Sequence, residues 1–416
     1  RSARKTVFRF FCILFQRGHL PVVCIPEGAI AVRISHLSLY NWKNFDSVDL
    51  SLQDRVFVVG PNACGKSNLF DAVRFLHDLV VPGGGLLPAL FIRGGMAHIL
   101  PFNMSPEKMQ KASVRITVKV KESANTYWEY DLAFRIKSPT EHIPVVASEV
   151  VRYTNDGVTE VLLERPTDED KNDLVRLTQT AMEQSSCNSK FRPLSAFFYS
   201  IRGSRMSIAG VYESIQQTFE NFGSAEHRPI GIDLIASMAI LPPEERKHRL
   251  ARLTETMQRL IPDLECIEWH PSVGRRTCLR LRQRKWPESK FADETKLSDG
   301  TLRLMAFFWY VSQKGGLLLL EEPEISMPQA VLTVMVPYAY EAQQHEGGGQ
   351  LLISTHSPVL LQDYGIAAEE VIIVNPDENG NSHATLAADI PEIADVMQVS
   401  MSASEAIFPL IDNPAS

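Results

Sequence analysis

The sequence predicts an α/β fold with a mixed or parallel core sheet, a flanking antiparallel sheet and a helical lobe, on three observations. First, Val56-Phe-Val-Val-Gly-Pro-Asn-Ala-Cys-Gly-Lys-Ser-Asn68 passes from an apolar run through a glycine-bounded loop into the apolar-periodic segment Leu69 to Leu79, which reads as strand, loop and helix. Second, Leu317-Leu-Leu-Leu-Glu-Glu-Pro-Glu324 and Gln350-Leu-Leu-Ile-Ser-Thr-His-Ser-Pro358 are short apolar runs ending in polar residues, as buried parallel strands do. Third, Ser113 to Lys121, Tyr127 to Ile136, Val145 to Tyr153 and Thr159 to Leu163 alternate with period two. With Asn155-Asp-Gly157 as turn chemistry, they read as an antiparallel sheet.

In chain order, residues 1–31 are expected to be an N-terminal extension of vector or upstream origin. Arg1 to Lys5 is basic, but the apolar stretch Val7 to Phe15 is short and broken by Arg9, so it makes a poor secretory signal. Residues 32–167 form a first lobe. Val32 to Leu52 alternates as two strands around Asn41-Trp-Lys-Asn-Phe45, then come the loop and its helix, the connections Pro82-Gly-Gly-Gly85 and Phe91-Ile-Arg-Gly-Gly95, and the antiparallel segments. Residues 168–262 read as a mainly helical insertion. It has a strand-like break at Leu194-Ser-Ala-Phe-Phe-Tyr199 and a helix opened by Pro242-Pro-Glu-Glu245 that runs to about Leu260. Residues 263–416 form a second lobe. Within it Arg275 to Lys285 alternates, setting Arg280, Arg282 and Arg284 on one face; such a strand suits a nucleic-acid phosphate backbone or simply solvent.

The loop carries the first chemistry. It fits G-x-x-x-x-G-K-[ST], a pattern that turns successive backbone N–H groups and a helix N-terminus toward a nucleotide's phosphates. Gly60, Pro61, Asn62, Ala63, Cys64, Gly65, Lys66, Ser67 and Asn68 are its candidate contacts, with Lys66 reaching the β/γ-phosphates and the Ser67 hydroxyl a ligand for Mg²⁺. Glu321, ending a buried strand, is placed to hold Mg²⁺ through water, and Glu322 to orient or deprotonate an attacking water. Successive strand residues point to opposite faces, so this division of labour needs a turn right after Glu322, which Pro323 supplies. His356, at the end of another buried strand, is placed to hydrogen-bond a γ-phosphate or the water. Ser298, Asp299 and Gly300 precede the helix expected from Thr301 to Val311, whose free N–H groups suit a further phosphate contact.

Bulk properties bound the rest. The 416 residues are 44% hydrophobic and 22% charged, which suits a sizeable packed core. The net charge of −7 is unevenly spread: Lys and Arg are absent from 315–416, which carries about −15, and the remainder carries about +8. Nucleic acid would therefore meet the earlier part of the chain, and the acidic stretch is a candidate docking surface for a basic partner. Six cysteines lack C-x-x-C spacing, which suggests neither a zinc site nor a disulfide framework and fits a reducing, cytoplasmic setting. No apolar run approaches the roughly 20 residues that span a bilayer.

Together, and in this order, the motifs resemble the ABC-type ATPase heads of the SMC/RecF/OLD superfamily, above all the compact AAA-type branch that includes OLD-like and bacterial phage-defence ATPases. The resemblance covers about Val32 to Asp377 and is weak between Asp168 and Leu260. It implies an ABC-ATPase head that uses ATP and Mg²⁺, with Gly60 to Ser67 as Walker A, Leu297-Ser-Asp-Gly-Thr301 as signature, Leu317 to Glu322 as Walker B and His356 as switch histidine. It also implies a homodimer or higher oligomer of ATP-sandwiched heads, in which Ser298 and Gly300 of one copy meet the γ-phosphate held by the other. Two departures stand out. Pro323-Glu-Ile-Ser-Met-Pro328 is one residue shorter than the family's Pro-Glu-x-x-Leu-His-Pro turn and lacks its His, and no Toprim-like acidic nuclease pattern follows His356. Gln110 is the only candidate found for the Q-loop. The expected function is an ATPase controlling DNA engagement, through Arg275 to Lys285, or a separate nuclease or toxin effector, with the resemblance implying a role in anti-phage defence, and without membrane partners. The alternatives are a RecF/SMC-like repair ATPase, a transporter nucleotide-binding subunit, and a scaffold that assembles on ATP without hydrolysing it.

Overall fold

The computed structural model describes residues 32–109, 111–137, 143–205, 230–239, 241–270, 279–288, 290–293, 296–313, 315–325, 327–346, 348–399 and 401–412. The expected extension at 1–31 and Gln110 lie outside these described residues, as do Arg275 and Arg276 of the basic strand. In chain order the strands are β1 (Arg33–Trp42), β2 (Phe45–Ser51), β3 (Arg55–Val59), β4 (Ser113–Lys121), β5 (Thr126–Ile136), β6 (Pro144–Asn155), β7 (Val158–Arg165), β8 (Ile201–Arg205), β9 (Leu264–Trp269), β10 (Leu279–Gln283), β11 (Ala292–Asp293), β12 (Gly315–Glu321), β13 (Gly348–Thr355), β14 (Val371–Pro376) and β15 (Ser382–Leu386). The principal helices are α1 (Lys66–Val80), α2 (Arg192–Tyr199), α3 (Ile230–Ala239), α4 (Pro243–Leu260), α5 (Asp299–Val311) and α6 (Gln329–Glu346).

The strands form a central sheet of order β15-β14-β3-β13-β12-β8, an antiparallel sheet of order β2-β1-β4-β5-β6-β7, and a small sheet of order β11-β10-β9. The central sheet is parallel except for β15, which pairs antiparallel with β14. Its inner strands β14, β3, β13 and β12 each carry an apolar run because both faces are covered, whereas the edge strands β15 and β8 are more polar. Val56, Val58, Leu317, Leu319, Leu352 and Ile372 enter one core with Leu69, Phe70 and Val73 of α1 and the inner face of the antiparallel sheet. Their neighbours Phe57, Val59, Leu320, Leu351, Ile353 and Ile373 enter a second core with α3, α4, α5 and α6. The period-two alternation thus divides a single apolar run between two cores.

The four alternating segments predicted as antiparallel strands are β4 to β7, and Val32 to Leu52 forms the hairpin of β1 and β2. One expectation is overturned. Leu194-Ser-Ala-Phe-Phe-Tyr199 is not a strand-like break but lies in α2, with Pro193 in the first turn. Phe191, Leu194 and Phe198 are buried at helical spacing, and an aromatic-rich run of six residues carries too little periodicity to separate the two readings. The strand is the next segment, β8, which pairs with β12 from Ile201 beside Leu317 to Arg205 beside Glu321. The segment expected as a helical insertion therefore contributes the edge strand of the central sheet.

Candidate nucleotide site

Topology gathers the motifs. β13 lies between β3 and β12, and all three run parallel, so their C-terminal ends share one edge of the sheet. Thr355 sits beside Val59, and Ser354 beside Glu321. The phosphate loop, the two carboxylates and the histidine therefore leave the sheet side by side, where a parallel α/β sheet collects ligands.

The loop from Gly60 to Gly65 is shaped by positive φ angles at Gly60 (153°), Ala63 (61°) and Gly65 (109°). Glycine is required at the two ends: a Cβ on Gly60 would lie 2.2 Å from the Val374 carbonyl oxygen, and one on Gly65 would lie 2.1 Å from Asn44 Nδ2. Asn44, in the turn between β1 and β2, donates through Nδ2 to the Cys64 carbonyl (3.0 Å) and to Ser382 Oγ (2.7 Å), and its Oδ1 accepts from Asn68 Nδ2 (2.8 Å). Ser382 Oγ donates to the same Cys64 carbonyl at 2.6 Å, and Trp42 Nε1 donates to the Asn68 carbonyl at 2.9 Å. The loop's last peptides are thereby fixed from the β1–β2 hairpin and from β15. Lys66 is buried, and its ammonium donates to the carbonyls of Gly60 and Pro61, each at 2.9 Å. Burial pulls its pKa below the usual lysine value, an effect that Cys64, Glu322 and Glu324 partly oppose. The Cys64 thiol is pushed up by burial, so it is an inert packing group in this loop.

Ser67 Oγ donates to Glu321 Oε2 at 2.7 Å, and Glu321 is 4% exposed, with Arg74 of α1 ion-paired to its other oxygen. A hydroxyl and a carboxylate oxygen this close fit the protein side of a nucleotide-bound Mg²⁺. Among the described residues no cluster of three or more His, Cys, Asp and Glu makes a protein-only metal site. A cation here would therefore complete its shell with phosphate and water oxygens.

Glu322 follows β12 in a left-handed conformation (φ 47°), its N–H donating to the Ser354 carbonyl at 2.9 Å. The turn that separates the two carboxylates is made at Glu322 itself, one residue before the proline expected to supply it. For a non-glycine residue this conformation costs on the order of 1–3 kcal/mol, and such strain concentrates at functional sites. His356 Nε2 lies 3.0 Å from Glu322 Oε1, and its Nδ1 lies 3.5 Å from Lys66 Nζ. An imidazole protonated at Nε2 satisfies both contacts, donating to the carboxylate and accepting from the ammonium.

Among the described residues, Ser298 and Gly300 make no hydrogen bond to this cluster. Ser298 caps α5, its Oγ accepting from Thr301 N at 3.3 Å and contacting Thr301 Oγ1 at 2.9 Å, and these bonds stay within its own helix start. The helix begins at Asp299, two residues before the expected Thr301, and Gly300 lies in its first turn. Where it is described, the basic strand ends at Gln283 and is less free than expected. Arg280 pairs with Glu268 and Arg282 with Glu265 across β9, Arg280 lies over the Phe291 ring, and Arg284 falls in the turn beyond β10. Cross-strand carboxylates neutralise the two arginines that β10 carries.

Sequence reasoning missed Arg74, Ser382 and Glu324. Arg74 follows Ser67 by seven residues, two helical turns along one face, so its proximity to Glu321 was open to inference. Ser382 carries no local signal, because it reaches the loop from a strand more than 300 residues further along the chain.

Two family models match parts of this chain. The family model described as "AAA domain, putative AbiEii toxin, Type IV TA system" matches residues 170–362, and the model for the P-loop containing region of AAA domain matches residues 34–82. Two stretches of the chain, 34–82 and 170–362, thus match models of AAA-type domains, and the first of these spans the loop from Gly60 to Ser67. Among solved structures it is similar to the SmcHead bound to the C-winged helix domain of ScpA, at 15% identity over 85% of this chain and 97% of that one, TM-score 0.46. It is also similar to the SMC head domain from Thermotoga maritima (15%, 85% and 98%, TM-score 0.41). A third similar structure is the Smc head domain with an extended coiled coil bound to the C-terminal domain of ScpA derived from Pyrococcus furiosus (15%, 88% and 100%, TM-score 0.44). No curated protein matches the chain. No described helix is long and apolar enough to cross a membrane.

Proposed function

We propose that this chain binds ATP with Mg²⁺ and hydrolyses it in a composite site made by two copies meeting head to head, and that closure of the site drives a separate effector in anti-phage defence. The observation that carries the reading is the convergence of Ser67, Glu321, Glu322, His356 and Lys66 on one sheet edge while Ser298 keeps to its own helix start. One copy thus holds every part of a phosphoryl-transfer site except the donors of the signature helix, which a second copy would supply. In the assigned roles, Lys66 would leave the Gly60 and Pro61 carbonyls for the β/γ-phosphates, Ser67 and Glu321 would hold the cation, and Glu322 would take the proton of the attacking water. His356 stands against Glu322 to orient it and to sense the γ-phosphate. Bound Mg²⁺ would neutralise charge developing on the phosphate oxygens.

The effector arm is favoured over DNA engagement because Glu268 and Glu265 already neutralise the arginines of β10, and because the matched family model's description names a toxin and a type IV toxin–antitoxin system. The described cysteines Cys64, Cys187 and Cys266 are all free, which fits action in the reducing cytoplasm.

The test is phosphate release and light scattering on the purified protein. Glu322→Gln should keep ATP affinity, slow hydrolysis by about 100-fold or more and accumulate an ATP-dependent dimer. Parental hydrolysis by Glu322→Gln would remove Glu322 as the base.

A further inference from the structure

Glu324 has no role in the assignments above, yet its side chain reaches the site from the turn after β12. Oε1 accepts two hydrogen bonds, from Thr355 Oγ1 at 2.7 Å and from the His356 N–H at 2.8 Å. Thr355, fully buried, uses the same hydroxyl to accept from the Ser357 N–H at 2.9 Å. One carboxylate oxygen therefore holds the His356 backbone directly and the Ser357 backbone through the Thr355 hydroxyl. A carboxylate serving only its own turn would bond nearby N–H groups; these bonds instead cross to another strand end 31 and 32 residues on. Among the described residues, the buried Oε2 has no hydrogen-bond partner, and the carboxylate's charge acts on Lys66.

We propose that Glu324 is a positioning residue for ATP hydrolysis, holding the 355–357 turn so that the His356 imidazole meets Glu322. The proposal rests on the ATPase reading. The imidazole can swing about its side-chain torsions, but its origin is set by the pinned backbone, and the 3.0 Å approach to Glu322 follows from that origin. The turn that carries Glu324 is itself held from α5: Ile325 N donates to the Glu322 carbonyl at 3.1 Å, and Arg303 of α5 donates to the Ile325 carbonyl. A partner engaging the start of α5 would therefore pull on the segment that sets His356.

The experiment compares Glu324→Ala with Glu324→Gln in the full chain. A glutamine keeps an amide oxygen able to accept from both Thr355 and His356; alanine removes the acceptor. Glu324→Ala should lower kcat for ATP by about 30-fold, with KM and ATP affinity within about threefold of the parent, and Glu324→Gln should recover kcat to within about fivefold. A merely structural role would instead raise Kd and lower Tm together with kcat. Full kcat in Glu324→Ala, or a Glu324→Gln as slow as Glu324→Ala, would overturn the proposal. The second readout needs no turnover: the His356 imidazole NMR signals, assigned by their loss in His356→Gln, should shift in Glu324→Ala and stay in Glu324→Gln. A parent that hydrolyses no ATP would refute the ATPase reading, while unchanged His356 signals in Glu324→Ala would refute this one. Should Glu324→Ala not fold, Thr355→Val removes one of the two donors and should lower kcat by about fivefold, with Thr355→Ser restoring it; no loss in Thr355→Val would count against the clamp.

Discussion

Lys66 is held ready rather than free. Its ammonium rests on the Gly60 and Pro61 carbonyls and near His356 Nδ1, in a buried position that favours the neutral amine. A phosphate would replace neutral acceptors by charged ones. Lys66→Ala should weaken ATP binding by about tenfold or more, read by calorimetry. Away from the site, Arg165 binds both Asp170 and Glu149 inside the antiparallel lobe. Hydrogen bonds from Arg165 hold the Asp170 carboxyl well below the ordinary carboxylate value. Asp71 is also lowered, since Arg93 and Lys43 outweigh the opposing effect of burial. A depressed folded-state pKa means the unfolded chain binds protons first. The stabilisation is therefore complete above the ordinary value of 3.8 and is lost as pH falls below it toward the lower folded values. Asp170→Asn should cost about 3 kcal/mol at neutral pH and flatten the loss of stability on acidification, read by urea unfolding between pH 7 and pH 3.

The loop, the β1–β2 hairpin and β15 act as one mechanical element. Asn44 and Ser382 share the Cys64 carbonyl, and Asn44 also packs where a Cβ of Gly65 would go. Asn44→Ala should loosen the loop and raise the Kd for ATP several-fold, at about 1 kcal/mol for each hydrogen bond lost, with kcat affected less. Gly60→Ala should be far worse, losing nucleotide binding outright, because the new methyl meets a backbone carbonyl that cannot retreat without moving β14. The loop itself was legible in the sequence because its demands are local: glycine at two tight positions, an apolar strand before, an amphipathic helix after. Its supports were not, since Ser382 and Asn44 are brought together by sheet order. The same holds for Arg280 and Arg282, whose charge was visible but whose glutamate partners depend on the pairing of β9 with β10.

Sheet order also explains what was readable in the whole molecule. The apolar runs ending in Glu321, Glu322 and His356 identify buried strands wherever they lie, and parallel pairing then forces their ends to one edge. The edge strand was misplaced by a few residues because Leu194 to Tyr199 and Ile201 to Arg205 are both short, and only packing decides which one pairs with β12. Among the described residues, Ser298 and Gly300 make no hydrogen bond to the cluster at that edge, so the central claim concerns two copies. It is tested by mixing two inactive variants, Lys66→Ala, which keeps Ser298, and Ser298→Arg, which keeps the phosphate loop. In a head-to-head dimer each mixed pair holds one intact composite site, and ATPase activity should return to roughly a quarter of the parent's, half the dimers being mixed and half of their sites intact. If the mixture stays as inactive as its components, or if Ser298→Arg alone hydrolyses ATP at the parental rate, the signature does not act across the dimer and the composite site is wrong.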